Sequence, residues 1–162
     1  MVSDNAPIPK QSVKLEIAEH IGDLFDKTGN QHMAGRVFGW LLVSGEPHQS
    51  QPELSQALQV SKGAISQATR LLIELGLLKS TRVPGYRCRY YRIAPDAWRR
   101  LVSQYLGRIR AAREIAQNGL AKMSGLRAED KVGLERMLQL TEFLEDQGSV
   151  VLRQWPESHN TK

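Results

Sequence analysis

The chain has 162 residues, of which 41% are hydrophobic and 24% charged, the mix of a soluble globular protein, which excludes disorder as the main state. Its longest wholly apolar run, Trp40 to Val43, is far too short to cross a bilayer, and its single cysteine, Cys88, excludes an intramolecular disulfide framework and any multi-cysteine metal site. The net charge of +5 is uneven: residues 50–100 hold 9 basic side chains against 3 acidic, whereas residues 1–49 hold 4 against 6 and residues 101–162 hold 9 against 8.

In chain order, Met1 to Gln11 carries two prolines and no periodicity and reads as a loose arm. It lacks the basic start and apolar stretch of a signal peptide, so the expected compartment is the cytoplasm, with no membrane partner. Val13, Ile17, Ile21, Leu24 and Phe25 recur at helical spacing and predict a helix over 12–28 with that face buried. A second helix, about 33–44, is apolar at its end and is expected to be buried on several sides. Ser50-Gln51-Pro52-Glu53 is a helix start, because Ser50 and Glu53 can cap each other and proline is tolerated in the first turn. That short helix ends near Leu58, and Ser61 then caps another that runs to Leu75 and stops at Gly76.

Two β-like runs follow, 77–82 and 88–93, around Val83-Pro84-Gly85-Tyr86-Arg87, the pattern of a hairpin with a protruding basic tip. Pro95 and Asp96 open a long helix whose apolar residues Trp98, Val102, Tyr105, Ile109, Ala112, Ala116 and Met123 keep a heptad-like register, with Gly119 as a gap. A last helix is expected over 128–147, with Leu134, Met137, Leu138, Thr141 and Leu144 on one side. The fold class is mainly α with a small β-hairpin wing: a winged helix-turn-helix domain plus long dimerisation helices, the alternative for these being an intramolecular helical hairpin between 95–124 and 128–147. The expected division is an N-terminal arm and helix at 1–30 contributing to a dimer interface, the winged helix-turn-helix at 31–94, dimerisation helices at 95–148 and a tail at 149–162.

The helix from Ser61 carries the functional argument. On a wheel of 100° per residue, Ser61, Ile65, Ala68, Leu72 and Leu75 share one face, while Gly63, Ser66, Gln67, Arg70 and Glu74 share the opposite one, with Lys62 at its edge. The second face is polar, lightly crowded and nearly uncharged at its start, which suits a major groove, where small residues let the backbone approach and Gln or Arg can bond base edges. Arg82, Arg87 and Arg89 flank the hairpin tip and Tyr86 sits on it. Such a concentration of positive charge favours an anionic partner such as phosphate. The plain alternatives are a solvated helix face and a loop kept soluble by arginine.

The order and wording of residues 22–93 resemble the MarR family of winged-helix transcriptional regulators, and within it the GbsR-like branch. The likeness rests on Ala34-Gly35-Arg36-Val37-Phe38-Gly39-Trp40-Leu41-Leu42, Glu53-Leu54, Leu58, Val60-Ser61-Lys62-Gly63-Ala64-Ile65-Ser66, Leu71 to Leu75, Gly85-Tyr86-Arg87 and Tyr90-Tyr91. It implies a homodimer that binds a near-palindromic double-stranded DNA operator, a repressor tuned by a small-molecule effector. It also implies a DNA-binding set of Ser61, Lys62, Gly63, Ser66, Gln67, Arg70, Arg82, Tyr86, Arg87 and Arg89. Of another class is a winged-helix module that binds protein or RNA instead of an operator.

Other features point to less. Cys88 could sense oxidants, its arginine neighbours favouring the thiolate, but one cysteine in a strand is more commonly structural. The histidines at 20, 32, 48 and 159 show no ligand spacing, so no metal and no cofactor are expected. Trp40, Trp98 and Tyr105 are candidates for a ligand pocket by position only, with core packing the alternative. There is no phosphate-binding glycine loop and no Gly-x-Ser-x-Gly turn, so nothing supports an enzyme.

Overall fold

The computed structural model describes residues 10–82, 85 and 88–155. The elements are α1 (Lys10–Lys27), α2 (His32–Val43), β1 (Gln49–Ser50), α3 (Gln51–Leu58), α4 (Lys62–Glu74), β2 (Leu78–Arg82), β3 (Arg89–Ile93), α5 (Ala97–Lys122) and α6 (Ala128–Gln154). The three strands form one antiparallel sheet in the order β1-β3-β2. The chain divides into two compact units, residues 1–97 and 98–162.

In the first unit α1 packs on α2 through small residues. The buried face of α1 is Ala18, Gly22 and Phe25, and the expected positions Val13, Ile17 and Leu24 stay exposed. The reason is close approach of the two helices. A Cβ on Gly35 would lie 2.6 Å from the Ile21 carbonyl oxygen, and one on Gly39 would lie 2.9 Å from the Ala18 Cα, so glycine is what lets the backbones meet. Lys14 Nζ donates to the Ser44 carbonyl at the C-terminus of α2, at 2.7 Å. Phe38, Leu54, Ile65, Leu72 and Leu77 fill the centre of this unit, each less than 2% exposed.

The α3 start behaves as its sequence predicts. Ser50 N–H and Ser50 Oγ both donate to Glu53 Oε2, at 2.6 and 2.7 Å, and these two bonds hold the Glu53 carboxyl below its ordinary value of 4.5. The strand just before it, β1, has no sequence signature and pairs Gln49 with Tyr91 and Ser50 with Tyr90. The turn from α3 to α4 passes through Gln59 in the left-handed region, at φ 54°, and Ser55 Oγ donates to the Val60 carbonyl at 2.6 Å. At the far end of α4, Gly76 at φ 71° makes the left-handed exit. Its N–H donates to Ile73 and the Leu77 N–H to Leu72, the pair of bonds that turns a helix end into a following strand.

The second unit is a helical hairpin of α5 and α6. Its start and end differ from expectation. Pro95 and Asp96 form a turn and α5 begins at Ala97; α6 does not stop at Gln147 but runs on to Gln154. Gly148, which reads as a helix stop, is a seat: a Cβ there would collide with the Leu106 side chain. Gly119, the gap in the α5 register, is likewise the seat of Leu134, whose Cδ1 would lie 2.7 Å from an added Cβ. Arg99 Nη1 donates to the Leu152 carbonyl at 2.8 Å, satisfying an end carbonyl of α6 from α5. Glu145 accepts an ion pair from Arg110 at 2.6 Å and one from Arg113 at 3.1 Å. Of the heptad-like face, Ile109 and Ala116 are buried, whereas Trp98 (48% exposed), Val102 and Tyr105 (62%) are not covered.

Candidate nucleic-acid interface

The candidate surface is built on α4. Ser61 sits at its N-cap in extended backbone, and its side chain accepts from the Ala64 N–H at 3.2 Å, which pairs one of the helix's orphan donors. Gln51 Nε2 donates to the Lys62 carbonyl at 2.6 Å and ties the start of α3 to the start of α4. Ile65, Ala68, Thr69 and Leu72 are buried. Thr69, unassigned from sequence, is accommodated because its hydroxyl donates back to the Ile65 carbonyl at 2.8 Å. Ser61, Lys62, Gly63, Gln67 and Arg70 are exposed and Ser66 is half-buried at the edge of the same face.

The hairpin adds cations. Its register sets Arg82 opposite Arg89, Ser80 opposite Tyr91 and Lys79 opposite Arg92. Arg89 and Tyr91 join Ser66, Arg70, Ile73 and Glu74 around a cleft of about 380 Å³, so β3 and the polar face of α4 border one site. Among the described residues Arg70, Arg82 and Arg89 have no carboxylate partner, which leaves their guanidinium donors available to an external anion. Tyr86 and Arg87, with Val83 and Pro84, lie outside the described residues. Lys79 and Arg92 were not singled out by sequence reasoning. The signal was the register itself, since residues facing each other across this hairpin keep a constant sum of numbers.

The remaining candidates fall elsewhere. Trp40 is packed in the core of the first unit, and its indole N–H donates to Gln49 Oε1 at 2.8 Å, which accords with core packing. Trp98 and Tyr105 do line an apolar groove of about 370 Å³ in the second unit, together with Leu101, Val102, Leu152 and Trp155. Cys88 is a half-buried free thiol beside β3. His32, without ligand spacing in sequence, is brought by the α1–α2 packing to 3.2 Å from Glu19 and 3.3 Å from Asp23. These three could offer ligand atoms to one ion, but Arg36 already opposes Glu19 at 2.6 Å, an ion pair that links α2 to α1. Among the described residues no helix is long and apolar enough to cross a membrane.

Known proteins bear on this geometry. A family model described as MarR family matches residues 29–87, and one described as MmpR5-like MarR family transcriptional regulator matches residues 96–158. The HTH-type transcriptional regulator MmpR5 of Mycobacterium tuberculosis (strain ATCC 25618 / H37Rv) is 30% identical over 132 residues, which cover 82% of this chain and 80% of that protein. A crystal structure of a transcriptional regulator shares 31% identity and superposes with a TM-score of 0.66 over 91% of this chain and 98% of the other. The matched group within the family is MmpR5-like, and these matches lend the GbsR-like branch no support.

Proposed function

Because this chain belongs to the MarR family of transcriptional regulators, we propose that it is a homodimeric repressor that reads a near-palindromic double-stranded operator through α4 and the β2–β3 wing. The observation that carries this reading is the division of α4. Its apolar side is locked in the core, and Lys62, Gly63, Gln67 and Arg70 look outward beside Arg89. Gln67 would read a base edge in the major groove and Ser66 a base or a phosphate. Arg70, Arg82 and Arg89 would hold phosphates and fix the register of the protein on the duplex. Tyr86 and Arg87 would join this set, as the family resemblance implies.

The second unit supports the dimer. A two-helix hairpin has little interior, and its uncovered apolar side chains suit burial against a second copy. Two-fold symmetry then sets two α4 helices about 34 Å apart, one turn of the duplex. The groove at Trp98 and Tyr105 has the size of a small-molecule site. An effector there releases the operator only by binding more tightly to a dimer whose α4 helices are wrongly spaced. The experiment is selection of a duplex from a random pool, followed by titration of the selected and a scrambled duplex at several salt concentrations. Preference for the selected duplex that persists as salt rises supports the operator reading. Equal binding to both, or tighter binding to RNA, contradicts it.

A further inference from the structure

The wing carries a second pair of cations, and it faces the other way. Side chains directly opposite in an antiparallel pair share a face, and successive residues alternate between faces. Arg82 and Arg89 therefore share a face with Tyr91, the face that borders the α4 cleft, and Lys79 and Arg92 share the opposite face. Lys79 is exposed and Arg92 half-buried. Among the described residues neither has a carboxylate partner. Like charges directly opposed across strands destabilise a ribbon, and two such pairs within five rungs are not a device for folding it. They make sense against an external row of negative charge.

The spacing says which one. The two pairs are three residues apart along the strands, about 10 Å, and they project from opposite faces. A ribbon with cations on both faces is matched by two phosphate rows, one on each side, as duplex DNA presents across a groove. We propose that Lys79 and Arg92 form a second phosphate clamp, on the DNA strand opposite to the one held by Arg82 and Arg89. The clamp rests on the operator reading above and deepens it. It is blind to sequence, so it adds affinity without adding specificity.

The test compares two double variants, Lys79→Gln/Arg92→Gln and Arg82→Gln/Arg89→Gln, with wild type on the selected and the scrambled duplex. Losing two phosphate contacts per protomer, four per dimer, should lower the magnitude of the log K against log salt slope by about 3.6 in either variant. Lys79→Gln/Arg92→Gln should weaken both duplexes by the same factor, keep their affinity ratio, and lose hydroxyl-radical protection on one strand within each half-site, the strand that Arg82→Gln/Arg89→Gln leaves protected there. Its melting temperature should stay level or rise, because a like-charge repulsion is removed. A wild-type slope and footprint in Lys79→Gln/Arg92→Gln overturns the clamp, and if Arg82→Gln/Arg89→Gln still loses its contacts the operator reading stands. A lower melting temperature with DNA binding intact assigns the pair a structural role and also overturns it. A wild-type protein that binds no duplex at low salt removes both readings.

Discussion

The two units of the chain solve burial differently. Of the buried hydrophobic side chains among the described residues, seventeen belong to the first unit and only Leu106, Ile109 and Ala116 to the second. The exposed large hydrophobics divide the opposite way: Val13, Ile17, Leu24 and Ile73 in the first unit, ten others in the second. The first unit has four helices, α1 to α4, and a sheet, enough layers to close a core. The second has two helices, each of which can turn only one stripe to its neighbour. The first unit is stabilised by its own interior, whereas the second keeps most of its large apolar side chains at its surface.

Substitutions test that contrast most sharply where it is largest. Phe38 is 1% exposed, and Phe38→Ala should cost about 3–5 kcal/mol in denaturant unfolding. Phe143 on α6 is 61% exposed. Phe143→Glu should leave the fold of the chain unchanged by circular dichroism and weaken self-association about tenfold or more in sedimentation equilibrium. A wild-type protein that is monomeric at micromolar concentration, or a Phe143→Glu variant that is unfolded, would break the contrast. Ser61→Ala removes the α4 cap and should cost about 1 kcal/mol of stability, read in the same unfolding experiment, with self-association unchanged.

The smallest expected effect is an acid one. Glu53 in the first unit is held below its ordinary value by the Ser50 N–H and hydroxyl. Its folded carboxyl therefore binds protons less readily than the unfolded one, so the bonds stabilise the fold above about pH 4.5 and that contribution is lost as pH falls through the lowered folded value. Glu53→Gln should flatten the decline of stability on acidification. An unchanged pH profile would mean that the carboxylate adds nothing to the α3 start.

Much of this was legible in the residues. The helices, the capped α4 and the hairpin follow from periodicity and from Ser, Pro and Gly at the ends, and the outward set of α4 follows from its wheel because Ile65, Ala68 and Leu72 fix the inner side. What was hidden depended on close approach or on pairing. Ala18 and Gly22 give no hydrophobic signal, so the buried face of α1 was misplaced toward Val13, Ile17 and Leu24. Gly148 looks like a stop in one dimension and is a hole for Leu106 in three. A two-residue strand such as Gln49–Ser50 has no pattern to find, and the facing of Lys79 and Arg92 exists only once the β2–β3 register is known.

Sequence recognition in a duplex falls, in the proposed function, to the outward groups of α4. Its most direct measurement is the ratio of affinities for the selected and the scrambled duplex at one fixed salt concentration, in wild type and in Gln67→Ala. Wild type should show a clear preference that Gln67→Ala erodes by about 1–3 kcal/mol, through loss on the selected duplex alone. An identical ratio in the two proteins would contradict it.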